Sequence, residues 1–274
     1  MDALDPQFLF ACAGIGALGG LLGGMLGIGG GVVIVPALLA LFEVFGLPAA
    51  QAAPIAVATS LTTIIATSAA AARAQWLRGS IDVKLFRRWA PALVAGSLVS
   101  GPVAGQLPAG AFQAFIGCFL LAVGIIMSSA WQPSPHRALP RGATGIALGG
   151  SAGLVSGMAG IGGGNVIVPT LVYFNVPIRL ATGTSSALGL PIALAGTISF
   201  LVAGWDRTNL AAGTLGFVHL PAAVAIATLS FFAAPIGVAV AHRIPAAQLK
   251  RAFGVLLLLV SMRMLSATVG LLSA

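Results

Sequence analysis

Between Phe8 and Ala72 the chain carries a single charged side chain, Glu43. An apolar run of that length leaves a soluble fold nowhere to hide it. The rest of the sequence keeps the same character: 58% of its 274 residues are hydrophobic and 7% are charged, against roughly 25% charged in soluble domains. Segments of this kind belong in a bilayer, where each crossing needs about 20 apolar residues. Hydrocarbon offers no partner for backbone N–H and C=O groups, so the spans must satisfy their own, as helices do. The expectation is an all-α polytopic membrane protein.

The formal charge of +8 does not point to nucleic acid, because the Lys and Arg residues fall in short loops between apolar spans and no basic run is interleaved with aromatics. The N-terminal MDALDPQF has two acids and no Lys or Arg, unlike the basic start of a secretory signal, so the first apolar segment is expected to be retained. Cys12 and Cys118 lie inside apolar spans and read as small buried hydrophobes, and no cysteine or histidine spacing suggests a metal. Trp76, Trp89, Trp131 and Trp205 sit near loop edges, as an interfacial aromatic belt predicts.

The chain contains an internal echo. GMLGIGGGVVIVP (24–36) returns as GMAGIGGGNVIVP (157–169), with differences only at Leu26/Ala159 and Val32/Asn165. Thr59-Ser60 returns as Thr184-Ser185, Gly79 as Gly204, and LPAGAFQAFIG from Leu107 as IPAAQLKRAFG from Ile244. The order is kept while the offset drifts. One unit is therefore used twice: 1–130 is a first transmembrane repeat, 131–141 a basic, Pro-rich linker, and 142–274 a second repeat.

Apolar stretches run over about 8–46, 48–72, 89–106 and 109–130, then 143–176, 177–204, 211–241 and 246–272. The first stretch of each half is too long for one simple span and is interrupted by the glycine motif. Each glycine costs a helix about 1 kcal/mol relative to Ala, the following VVIV favours extended backbone, and proline suits the first turn of a new helix. Each half is thus expected to hold an unwound segment, about 27–35 and 160–168, followed by a half-helix opened by Pro36 or Pro169. Each repeat then has a Gly-broken first helix or hairpin plus three spanning helices, 8–10 membrane segments in all.

Loop charge discriminates between two topologies. If each half makes four simple crossings, eight Lys and Arg lie inside and four outside. If each broken stretch begins and ends on one side, the second half is inverted, with eleven inside and Arg207 alone outside. The second arrangement fits the positive-inside rule better and is the inverted repeat found in secondary transporters.

Irregular backbone survives at membrane depth only when buried in protein or lining a wet cavity. Successive N–H groups can form a concave anion site, glycine lets a ligand approach the main chain, and the helix that follows contributes the positive end of its dipole. The candidate binding residues are Gly29, Gly30 and Gly31 in the first copy and Gly162, Gly163, Gly164 and Asn165 in the second. The hydroxyls of Thr59, Ser60, Thr184, Ser185 and Ser186 join them. Two plainer readings stand beside this one: the glycines permit close helix packing, and the hydroxyls bond the carbonyl one turn back. Glu43 and His219 are candidates for proton coupling, although an interfacial charge and a packed histidine are the simpler roles. Arg263 is an intramembrane cation, functional by default unless it snorkels to the surface.

The doubled GxxGxGGGxxxxP motif with a Thr-Ser pair in each half resembles the TauE/SafE sulfite exporter family, the TSUP permeases. The resemblance covers nearly the whole chain. It implies a multi-pass protein of the bacterial inner membrane that transports a small sulfur-containing anion such as sulfite, thiosulfate or an organosulfonate. The expected partners are that anion, the lipid bilayer and, in a possible homodimer, a second copy of the chain, with no nucleic acid, cofactor or metal. The alternatives are a carrier or channel for another small anion such as a carboxylate, or a membrane-embedded enzyme. An enzyme needs a nucleophile with a base in reach, and His219 is its one plausible base, since His136 and His242 fall in loops.

Overall fold

A computed structural model describes residues 4–26, 29–129, 139–140, 142–207, 210–241, 251, 254–255 and 257–266. Most of the linker, Trp131 included, and most of the segment joining the last two helices lie outside the described residues. The elements in order are α1 (Pro6–Leu26), α2 (Gly31–Val44), α3 (Ala49–Trp76), α4 (Val83–Gln106), α5 (Ala109–Ser128), α6 (Ala143–Met158), α7 (Gly164–Tyr173), α8 (Ile178–Gly204), β1 (Thr214–Leu215), β2 (Val218–His219), α9 (Leu220–Ala241) and α10 (Leu257–Ser266). Of these, α1, α3, α5, α8 and α9 are long and apolar enough to cross a membrane. The protein is an all-α polytopic membrane protein, and large side chains such as Phe10, Ile126, Phe232 and Leu259 form its exposed surface.

The apolar interior also holds a set of hydroxyls. Thr59, Ser60, Thr63, Thr67 and Ser68 of α3 are buried, as are Thr184, Ser185, Ser186 and Ser199 of α8. These two helices form the centre of the bundle and pack against each other. Gly196 faces Leu61 while Gly189 faces Ser68, so the two run antiparallel. Around them the halves exchange partners: α1 packs most extensively on α9, and α6 on α4. Gly16, Gly20 and Gly24 of α1 meet Ile226, Ser230 and Ala234 of α9 in step, which makes that pair parallel. Gly149, Gly153 and Gly157 of α6 meet Ala92, Leu93 and Ser100 of α4 in the same sense. In α5 and α10, Gly117 meets Leu265 and Gly124 meets Leu258, so these two are antiparallel.

The broken first stretches are helical hairpins. Gly23 of α1 lies against Gly30, Gly19 lies against Ile34, and Phe8 at the start of α1 stacks on Phe42 near the end of α2 with ring centroids 6.2 Å apart. The chain therefore returns to the end from which it set out, here the first end, before α3 crosses to the second.

Several expectations need correction. The irregular backbone is shorter than 27–35 and 160–168. Gly27 and Ile28 lie outside the described residues, but α2 begins at Gly31 and α7 at Gly164. Pro36 and Pro169 stand inside these helices rather than opening them. Val32, Ile34 and Val35 are buried in the core, and burial outweighs their modest preference for extended backbone. The apolar stretch 211–241 is divided: Thr214–His219 forms an antiparallel hairpin before α9 begins. Trp76 and Trp205 are exposed, whereas Trp89 packs in a core with Leu85 and Leu93. Cys12 is buried and Cys118 exposed.

Candidate functional site

The two glycine breaks come together in the interior. A Cβ placed on Gly29 would lie 3.6 Å from Gly162 Cα, and one on Gly31 would run into the Gly160 carbonyl oxygen and reach Ile161 Cα at 3.0 Å. Contact this close is itself a reason for glycine at Gly31, as the packing reading proposes. Gly30 and Gly163 are the N-caps of α2 and α7, both left-handed with φ of 80°, a conformation that glycine alone adopts without strain.

Each helix starts with its first intrahelical bonds to the glycine carbonyl and no side-chain cap. The Gly30 carbonyl accepts from the N–H groups of Val33 and Ile34, and the Gly163 carbonyl from those of Val166 and Ile167. Neither cap has a side-chain hydrogen bond. The N–H groups of Gly31 and Val32, and of Gly164 and Asn165, precede any acceptor within their own helices. Because α2 and α7 run outward from the breaks to opposite ends, the positive ends of both helix dipoles lie at the meeting point.

The hydroxyls divide by role. Thr59 Oγ1 accepts from the His219 backbone N–H at 3.0 Å, and Thr184 Oγ1 from that of Asp82 at 2.9 Å. These are equivalent contacts, each holding the start of the other half's third helix. Ser60 Oγ donates to the Gly160 carbonyl at 2.8 Å, tying α3 to the second break. Ser186 bonds the Thr182 carbonyl one turn back, the ordinary helical role. Ser185 Oγ and Asn165 Nδ2 are buried without a hydrogen-bond partner. An unsatisfied buried amide costs about 1–3 kcal/mol, so Asn165 is an anomaly at the second residue of α7.

Side chains from the central helices complete the surroundings, and pattern reading did not find them. Ile64 and Ser68 of α3 lie against Gly29 and Gly162, and Gly189 of α8 lies against Ser68 and Gly162. The signal available was their position one and two turns beyond Thr59-Ser60.

The candidates for proton coupling lie away from the breaks. Glu43 is exposed near the end of α2 and pairs with the equally exposed Arg263 at 3.9 Å. His219 is fully buried against Phe8, with ring centroids 5.3 Å apart. Its Nδ1 accepts the Ala222 backbone N–H at 3.2 Å, so it serves as the N-cap of α9, the counterpart of Asp82 at the start of α4. A cavity of about 430 Å³ opens at the first end, lined by Gln51, Pro54, Asp206, Arg207 and Phe217 among others. The glycine breaks are not part of its lining.

A multi-pass helical bundle whose two interrupted helices meet at its centre is the architecture of a membrane transporter. The family model described as sulfite exporter TauE/SafE matches residues 12–264, and the chain belongs to that family. Among its relatives, a probable membrane transporter protein of Haemophilus influenzae is 32% identical over 94% of this chain and 98% of its own length. Probable membrane transporter proteins of Methanocaldococcus jannaschii (27% identical, 84% of this chain and 85% of the relative) and Bacillus subtilis (26%, 69% and 77%) are also similar. No solved structure matches the chain.

Proposed function

We propose that this protein is a secondary transporter that moves a small sulfur-containing anion, such as sulfite, thiosulfate or an organosulfonate, across the bacterial inner membrane by alternating access. The observation that carries the reading is the meeting of two helix starts without side-chain caps, Gly30–Val32 and Gly163–Asn165, deep in the bundle. The N–H groups of Gly31, Val32, Gly164 and Asn165, together with two converging dipoles, suit an oxyanion, while the Gly163 N–H donates to the Ile161 carbonyl. The absence of a fixed cation among the proposed ligands favours release as well as binding, which a carrier needs. The description of the family supports sulfur as the central atom.

In this reading the halves are inverted repeats. The antiparallel α3/α8 and α5/α10 pairs and the exchanged α1–α9 and α4–α6 partners support the inversion. The second end carries Arg73, Arg78, Lys84, Arg87, Arg88 and Arg179 and faces the cytoplasm. The first end, with Glu43, Arg263, Asp206 and Arg207, faces outward. The outer cavity is the approach to the breaks, from which it is separated by the stretch of α3 between Pro54 and Ile64, about 15 Å by helical rise.

The test is uptake of labelled sulfite, thiosulfate and methanesulfonate into proteoliposomes, with acetate as competitor and with and without a pH gradient. Saturable sulfur-anion uptake with counterflow is expected. Uptake of acetate alone, or flux that never saturates, overturns the proposal.

Asn165 gives a narrower check. Asn165→Val restores the residue of the first copy and removes the unsatisfied amide. Thermal stability in detergent is expected to rise, by about 1–3 kcal/mol at most, while uptake falls at least tenfold, roughly the worth of one charge-assisted hydrogen bond. Unchanged uptake would remove the Asn165 amide from the binding site.

A further inference from the structure

The two repeats do not contribute equally where their breaks meet. A Cβ on Gly29 would lie 3.0 Å from Ile64 Cγ2, one on Gly31 would lie 2.7 Å from Ile64 Cδ1, and one on Gly162 would lie 2.8 Å from Ile64 Cγ2. A single side chain, fully buried, is therefore wedged between both breaks. One turn further along α3, Ser68 Oγ would lie 3.3 Å from a Cβ on Gly29 and 3.6 Å from one on Gly162. The alignment of Thr59-Ser60 with Thr184-Ser185 makes Gly189 of α8 the counterpart of Ile64, and Ala193 that of Ser68.

This asymmetry has a steric cause. α3 and α8 cross at the centre, so equivalent positions on the two helices compete for the same volume. Where α3 places isoleucine, α8 has glycine, and a Cβ on Gly189 would already lie 2.6 Å from Ser68 Oγ. Isoleucine in a helix is held to essentially one χ1 rotamer, so Ile64 does not swing aside freely. It packs as a fixed side chain against both breaks.

We propose that Ile64 is the size gauge of the anion site, limiting it to compact oxyanions, with the Ser68 hydroxyl as the hydrogen-bond donor on the same wall. The proposal rests on the anion-transport reading above and adds to it the residue that sets substrate size. Inorganic sulfite is a small pyramid of one sulfur and its oxygens, whereas a sulfonate carries an organic group on sulfur that must lie against Ile64.

The experiment compares initial uptake of sulfite and of benzenesulfonate over a range of concentrations in proteoliposomes holding wild type, Ile64→Val, Ile64→Ala or Ser68→Ala. Wild type is expected to take up sulfite and to discriminate against benzenesulfonate. Ile64→Ala removes three carbons from the wall and is expected to raise the benzenesulfonate-to-sulfite ratio of kcat/KM at least about tenfold, the discrimination that small changes in pocket volume support. Ile64→Val, the milder change, moves the ratio the same way by less and decides the matter if the alanine variant fails to insert. Ser68→Ala is expected to weaken uptake of both anions together without moving the ratio. Wild-type sulfite uptake with an unchanged ratio in the Ile64 variants overturns the gauge but leaves the transport reading intact. Absence of any sulfur-anion uptake by wild type overturns both.

Discussion

Gly30→Ala is expected to reduce anion uptake at least 100-fold, whereas Gly163→Ala should cost no more than about tenfold. The two glycines have the same place in the repeat, and both are N-caps with φ of 80°. The penalty for placing an L-residue there is about 1–2 kcal/mol in each case. The difference lies in what the new methyl meets. At Gly30 it runs into the Gly19 carbonyl oxygen, the backbone of the helix against which α2 folds back. At Gly163 it meets the Cδ1 atoms of Ile167 at 2.6 Å and Ile192 at 2.7 Å, the free ends of side chains that can shift. Overpacking against rigid backbone adds about 1–3 kcal/mol, and in the first hairpin it is relieved only by moving α2 away from α1. That movement displaces Gly31 from Gly160 and separates the two helix starts. Uptake in proteoliposomes, normalised to inserted protein, measures the effect, and a thermal melt in detergent separates lost geometry from lost fold. Equal activity in the two variants would show that the close approach of α1 to the first break plays no part in transport.

The contrast between these two glycines also shows how far the amino-acid pattern reaches. Both copies of the motif are visible in the sequence, as are the broken first stretch of each half and the polytopic helical class, because glycine triplets, proline spacing and long apolar runs are local features. The length of the break is not visible. VVIV favours extended backbone in isolation, yet Val32, Ile34 and Val35 are buried against the rest of the core, and that burial pulls the helix start back to Gly31. The hydroxyls divide for similar reasons. Thr59 and Thr184 look alike in sequence and do the same thing, but what they do is accept backbone N–H groups from His219 and Asp82, each more than a hundred residues away from the threonine that holds it. Ile64 carries no polar signal at all, and only the crossing of α3 with both breaks reveals its position. The hairpin Thr214–His219 is hidden inside an apolar stretch, where hydropathy does not distinguish a buried strand from a helix turn. Trp89 starts an apolar stretch as an interfacial tryptophan would, but it lies six residues inside α4, and α6 and α8 pack on that helix.

The second large effect is expected far from the proposed binding site. Gly20→Leu should abolish recovery of monodisperse protein from detergent-solubilised membranes, while Gly14→Leu on the same helix should leave the yield unchanged. Gly16, Gly20 and Gly24 recur every four residues and form one stripe on α1, and α9 lays the backbone of Ile226, Ser230 and Ala234 directly on it. A Cβ at Gly20 would lie 2.6 Å from the Ser230 carbonyl oxygen, whereas one at Gly14 meets nothing within 4 Å. Within a bilayer no hydrophobic driving force holds helices together, because lipid tails solvate an apolar side chain as well as another helix does. Close backbone approach therefore supplies much of the association, and a leucine at Gly20 removes it with no compensating burial. The consequence is not confined to one helix pair, because α1 and α9 belong to different halves and the same exchange recurs between α6 and α4. Parting α1 from α9 withdraws the first hairpin from the partner half and carries Gly29–Gly31 away from Gly160–Gly162. Size-exclusion profiles of the solubilised variants provide the measurement. A sharp, wild-type peak for Gly20→Leu would mean that the α1–α9 stripe does not hold the halves together.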